Sequence, residues 1–272
     1  MLKEGPHRDP HVNWLVHEGG RILADPERVQ ELAGRRLAFR LVELEDHFRT
    51  HSYRLGIVGN PHRGKSTYAY SCYETLSDYH FPAHYVDLDI YSPSGLANSG
   101  HHDLANRPKR TDAPKEEVLA SIRGFRATGP GIVFGDFPGL PDKPYQPRRI
   151  KAVDMAIVLG DDSSDRGKWL ERLSKAKKDA LWLRTRSDNV RAYPLDPTIY
   201  ALDRKPRPNS LDVVTSLTRI LEVIGKKIGI PLANVWVKLP NGRIPFSEPE
   251  RMVLAEILDF EFAPYARGQE WD

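Results

Sequence analysis

The chain has 272 residues, of which 28% are charged and 40% hydrophobic, and its net charge is only +3. These values exclude a disordered chain and give little support to a broadly polyanion-binding surface; one large α/β domain with an extension is expected. The one cysteine, Cys72, leaves no internal disulfide, and no run of about 18 apolar residues suggests a membrane span. A cytoplasmic protein without membrane contact follows as the expectation.

Taken from the N-terminus, residues 1–52 read as a helical extension. Asp25 is suited to cap a helix whose first residue is Pro26, and Val29 and Leu32 follow at helical spacing. Leu37, Leu41, Leu44 and Phe48 again share one helix face. From residue 53 the pattern becomes short apolar runs separated by helical stretches, which predicts a mostly parallel sheet covered on both faces. Strands are expected at 54–58, 84–88, 131–135, 155–159, 180–184, 198–202 and 235–239. Helices are expected at 65–76, 115–127, 167–178, 211–227 and 248–260. The last has a capping-box signal, with Ser247 three residues before Glu250. Strand and helix alternate to the end, so residues 53–272 are expected to form one α/β domain, a three-layer sandwich.

The first strand, Leu55-Gly56-Ile57-Val58, leads directly into Gly59-Asn60-Pro61-His62-Arg63-Gly64-Lys65-Ser66-Thr67, with a helix pattern behind it. Glycines at both ends permit a tight turn that aims successive backbone N–H groups at phosphate oxygens, and the helix dipole adds positive potential. Lys65 can then reach β- and γ-phosphates, and the Ser66 hydroxyl can ligate Mg2+. A phosphate-binding loop for ATP or GTP is expected, making the domain a P-loop NTPase.

Phosphoryl chemistry needs carboxylates near that metal, at carboxyl ends of strands. Asp136, closing Gly131-Ile132-Val133-Phe134-Gly135, is the expected metal-linked group, and the Gly139 N–H in the following Phe137-Pro138-Gly139 could sense a γ-phosphate. Asp87 and Asp89 end the strand before it. Asp89, nearer the end, is the candidate metal-linked carboxylate or base, with Asp87 in support; a turn aspartate is the alternative.

With these motifs the chain resembles the SIMIBI class of P-loop proteins, which includes signal-recognition and metallochaperone GTPases and MinD-like ATPases. There an acidic strand end like Asp87-Leu88-Asp89 lies between the phosphate loop and a Walker-B sequence. Asp89 with Ser92-Pro93-Ser94-Gly95 resembles the metallochaperone GTPases in particular. Thr185-Arg186-Ser187-Asp188 stands where GTPases carry their guanine reader, with arginine in place of lysine. Asp188 is therefore a candidate acceptor for guanine N1 and N2, or an ordinary loop aspartate. Asn60 stands where ParA-like ATPases have a second lysine. The loop and the Asp-Leu-Asp strand end also resemble polynucleotide 5′-hydroxyl kinases, and the loop resembles the NTPase domain fused to some CRISPR ring nucleases.

Hydrolysis of the γ-phosphate is the leading expectation. Transfer to a hydroxyl acceptor on a nucleotide, polynucleotide or small molecule is the alternative, with nucleotide-dependent nucleic-acid binding a further one. Basic clusters at Arg107, Lys109 and Arg110, at Arg148, Arg149 and Lys151, and at Arg204, Lys205 and Arg207 could receive a phosphorylated or nucleic-acid substrate. Arg166 and Lys168 are candidate charge-stabilising fingers or part of a helix start. The sequence leaves oligomeric state open, a dimer included.

Overall fold

The computed structural model describes residues 10–61, 63–89, 114–160, 163–186, 199–200, 208–233, 245–258 and 264–265. The expected strand at 235–239 lies outside them. So do His62, Asp188, Ser92 to Gly95 and the basic clusters at 107–110 and 204–207.

The chain forms two compact units. One contains residues 45–190, 198–209 and 262–272, and the other residues 1–44, 191–197 and 210–261. The first is built on strands β1 (Ser52–Gly59), β2 (Ala83–Asp87), β3 (Gly131–Asp136), β4 (Met155–Gly160) and β5 (Asp179–Arg186). These five are parallel in the order β2-β3-β1-β4-β5. Two short strands extend the β5 edge: β6 (Ile199–Tyr200), parallel, and β7 (Pro264–Tyr265), antiparallel. Every residue of β3 and β4 is buried, so the alternation of a half-exposed strand is missing, as expected for a sheet covered on both sides.

Helix α3 (Lys65–Asp78) packs against β1, β2 and β3 on one face. The other face is covered by α4 (Lys115–Ala127), α5 (Gln146–Ala152) and α6 (Ser163–Lys175). There Val118, Ile122 and Phe125 of α4, Ile150 of α5 and Trp169 and Leu173 of α6 close over Val58, Val133 and Val158 in one apolar cluster. Because β1 and β3 are neighbours whose following helices lie on opposite faces, their carboxyl ends form a topological switch point, the place where ligands of such sheets bind.

Most elements match the sequence expectations within a residue or two. Helix α6 departs further, starting at Ser163 and ending at Lys175, and α5 and β7 are not among the expected elements. Ser163, Ser164 and Asp165 suit the first turn, so Arg166 and Lys168 belong to the helix and not to a loop. The end is a left-handed residue, Lys177 (φ 55), closed by Lys178 N–H to Leu173 O at 2.9 Å. Helix α3 ends in the same way at His80 (φ 56), with Phe81 N–H bonded to Leu76 O at 2.9 Å.

The second unit is helical, comprising α1 (Pro10–Ala24), most of α2 (Pro26–Phe48), α7 (Leu211–Lys227) and α8 (Glu248–Leu258). Asp25 caps α2, its Oδ1 accepting from the N–H groups of Glu27 at 3.1 Å and Arg28 at 3.2 Å. The Glu250 carboxylate returns to Ser247 N at 2.8 Å, completing half of the expected capping box, and accepts from Arg28 and Arg35 of α2. Deeper in, Glu222 of α7 gathers three arginines: Arg36 at 3.3 Å, Arg40 at 2.9 Å and Arg219 at 3.1 Å. Arg36 and Arg40 are almost wholly buried, and both also donate to the Ala233 carbonyl.

Removing that shared acceptor leaves buried Arg36 with the Ala233 carbonyl and no carboxylate among the described residues, while Arg40 keeps Glu43. Glu222→Ala is expected to cost about 3 kcal/mol in denaturant unfolding. A loss within about 0.5 kcal/mol, typical of surface changes, would show the cluster to be energetically idle.

Candidate nucleotide site

Strand β1 ends at Gly59, whose φ of +151° and approach to β4 admit no side chain: an added Cβ would lie 2.3 Å from the Leu159 carbonyl oxygen. Any substitution there must move the main chain, so this glycine is fixed by the sheet before any ligand is considered. The loop closes at Gly64, left-handed at φ 74°, which is the N-cap of α3 and offers no side-chain cap. Tyr68 N–H makes the first helical bond, to Gly64 O at 2.8 Å. The N–H groups of the first turn therefore lack intrahelical acceptors and face an anion-seeking helix terminus.

Lys65 opens that helix and is 8% exposed. Its ammonium donates to the Asn60 carbonyl at 3.1 Å, across the loop it follows. Burial lowers its pKa, opposed by the negative charges of Asp136 and Asp89. Both sequence-predicted carboxylates thus lie close enough to act on the lysine.

Asp136 is the last residue of β3, opposite Ile57 of β1 and Asp87 of β2 in the sheet register. It is 1% exposed, on the face covered by α3. Burial pushes its carboxyl up to about 6, against the pull of Lys65 and the Ser66 hydroxyl. The Tyr85 hydroxyl of β2 donates to its Oδ2 at 3.3 Å. Among the described residues its Oδ1 is buried with no hydrogen-bond partner.

Asp87 and Asp89 take different parts. The Asp87 carboxylate accepts the Asp89 N–H at 2.8 Å, forming a turn as β2 ends. That turn carries the chain away from the strand and leaves Asp89 near enough to Lys65 and Asp136 to perturb both.

The segment after Asp136 is locked in place. Phe137 N–H bonds to Ile57 O at 3.1 Å, and the Phe137 ring is fully buried. A Cβ on Gly139 would lie 2.8 Å from Pro61 N and 2.9 Å from Pro61 Cα, so the two motifs touch main chain to main chain. From α5, the buried Gln146 amide donates to Pro138 O at 3.1 Å and Leu140 O at 3.0 Å. Gln146 and Tyr85 both escaped the sequence analysis. Tyr85 lies two residues before Asp87, on the same strand face, and that period is the signal that could have found it. Gln146 has no such signal.

The basic stretch 148–151 is part of α5. Arg149 is fully buried, with Nη1 donating to Pro144 O at 3.1 Å, and Arg148 lies over the Tyr145 ring. That leaves Arg148 and Lys151 as the cations of this stretch beyond the core.

The parallel sheet flanked by helices, with a glycine-bounded loop between its central strand and α3, is an α/β fold of the P-loop NTPase-like kind. No family model and no curated protein matches the chain. Among solved structures it is similar to a plasmid partition protein from Borrelia burgdorferi bound to AMPPNP, at 14% identity over 65% of this chain and 100% of that one, with a TM-score of 0.45. The signal recognition particle receptor FtsY from Elizabethkingia anophelis is similar at 10% identity over 86% of this chain and 70% of that one, TM-score 0.36. A ParA family ATPase from Chlorobium tepidum gives 14% identity, 76% and 98% coverage, and a TM-score of 0.31. Likenesses this distant carry nothing about activity. Among the described residues no helix is long and apolar enough to cross a membrane.

The raised carboxyl of Asp136 has a consequence for the ligand-free protein. The folded state holds this proton more tightly than the unfolded chain, so the stabilisation is complete below about pH 4 and lost as pH rises through about 6. Asp136→Asn, which stays neutral, is expected to unfold about 2 kcal/mol later than the parent at neutral pH in chelator, with the gain shrinking to nothing at acid pH. Thermal melts across pH check this; a gain that persists undiminished in acid would show that ionisation is not its source.

Proposed function

We propose that the chain is a nucleoside triphosphatase of the SIMIBI type, binding Mg-ATP or Mg-GTP on residues 59–67 and hydrolysing the γ-phosphate. The observation that carries this reading is the pairing of an uncapped helix start with a buried carboxylate that keeps one oxygen unpartnered beside Lys65 and Ser66. An orphaned, fully buried carboxylate oxygen is costly unless a ligand completes it. A hard cation that takes one or two protein oxygens and fills its remaining positions with phosphate and water suits this donor set.

On this reading, the first-turn N–H groups of α3 hold the phosphates and Lys65 leaves the Asn60 carbonyl to neutralise β- and γ-oxygens. Ser66 and Asp136 are the residues that would hold Mg2+, with Asp89 beside them; the ion would supply charge neutralisation on the bridging phosphates. Asp89 is the proposed group to orient or deprotonate the nucleophile, supported by its electrostatic reach to Lys65 and Asp136. Water then adds to the γ-phosphorus as the bridging oxygen leaves with the bonding electrons on the diphosphate. The Gly139 N–H, held at Pro61 by Gln146, is set to respond to the γ-phosphate. Asp188 is the proposed reader of the base. The chain's single cysteine, Cys72, is buried and free, and a cytoplasmic location is part of this reading.

Thermal denaturation with ATP, ADP, GTP and GDP in magnesium should show selective stabilisation, of about 2.7 kcal/mol when free nucleotide is 100 times its Kd. Lys65→Ala should abolish that shift and phosphate release together. Release without an added acceptor marks hydrolysis, while turnover only with a hydroxyl acceptor marks phosphoryl transfer. A parent protein indifferent to all four nucleotides would remove the proposal.

A further inference from the structure

Two oxygens of Asp136 meet opposite fates. Oδ2 is bonded to the Tyr85 hydroxyl at 3.3 Å, while Oδ1 is buried and unpartnered among the described residues. Tyr85 comes from β2, the strand next to β3, in register with Phe134 and therefore on the same sheet face as Asp136. Its ring is braced edge-on by Tyr70 of α3, with centroids 5.5 Å apart and planes 84° apart. Helix α3 is the one that begins with Lys65 and Ser66, so the brace and the phosphate loop share an element.

We infer that Tyr85 is a positioning residue: it fixes the rotation of the Asp136 carboxylate so that Oδ1 alone is presented to a divalent cation arriving with nucleotide. This rests on the nucleotide reading above and adds a specific partner to it. A carboxylate free to rotate about its last bond would present either oxygen, and ordering it would be charged against metal binding. With Oδ2 already engaged, that ordering is made in the ligand-free fold. The hydroxyl is a donor to this buried carboxylate in addition to that of Ser66. Tyr85 touches neither nucleotide nor metal on this account, so its effect must be confined to the metal-dependent part of nucleotide affinity.

The experiment measures the Kd of a fluorescent ATP or GTP analogue with magnesium and again with EDTA, in the parent, Tyr85→Phe, Tyr70→Phe, Asp136→Asn and the Tyr85→Phe/Asp136→Asn double variant. The ratio of the two affinities is the readout. Tyr85→Phe keeps the ring and its packing; it should leave affinity in EDTA unchanged and reduce the magnesium enhancement about fivefold or more, as loss of a hydrogen bond to a charged group implies. Tyr70→Phe, which removes a hydroxyl from the same ring pair, should behave as the parent. On the Asp136→Asn background the Tyr85 change should have no further effect on the ratio. Equal weakening with and without magnesium would mean that Tyr85 only supports the fold, and overturns the proposal; so does an unchanged ratio, or a full effect in the double variant. A parent that binds no nucleotide in either condition fails the functional reading itself, a result separable from the others because it is seen before any substitution is made.

Discussion

A carboxylate and an ammonium share the first turn of α3 with almost no water to stabilise either, and much of the site answers to that confinement. Asp136 reaches the turn because β3 lies directly beside β1, and Lys65 because the loop after β1 folds back through the left-handed Gly64. Their attraction offsets part of the burial cost but not all of it, since the carboxyl stays pushed up to about 6 and the lysine is pushed down. A site held in this uncomfortable state is poised to gain from a polyanion and a cation together, each compensating one member of the pair.

The parts that were legible in sequence are those whose physics is local. The glycines at 59 and 64 and the apolar run before them announce a strand, a tight turn and a helix within about a dozen residues. Asp136 follows from a fully apolar strand that ends in a carboxylate. The caps at Asp25 and Ser247 likewise depend on neighbours only a few positions away; the Asp25 bonds are present, and so is the Glu250 half of the box at Ser247. Tyr85 and Gln146 are different in kind. The tyrosine matters because β2 pairs with β3, residues some 50 positions later, and the glutamine because α5 folds back on the loop that precedes it. The two-residue spacing of Tyr85 from Asp87 is the one local mark; the pairing of β2 with β3 and the fold-back of α5 leave none. Arg149 shows the converse, since a cluster of cations in the sequence reads as surface until the fold buries its middle member.

The helical unit carries the same lesson on a larger scale. Apolar spacing along residues 26–48 correctly gives a long helix, yet its buried arginines are satisfied by Glu222 and by the Ala233 carbonyl, far along the chain. One face of α2 was therefore readable as core, while the ionic part of its packing depended on partners nearly 200 positions away. Polar groups in such places fix which helices meet more than they add to the free energy of folding.

The contact between Gly139 and Pro61 bears on how these motifs can drift in evolution. The two atoms of Pro61 nearest to a side chain at 139 are its nitrogen and Cα, which every residue type possesses. Trimming the ring at 61 would thus open no room for alanine at 139, and a second-site revertant of such a change would have to arise elsewhere, by resetting a backbone path. Divergence at the two positions should look independent even though they abut, so covariation would miss a neighbour relation that geometry makes strict.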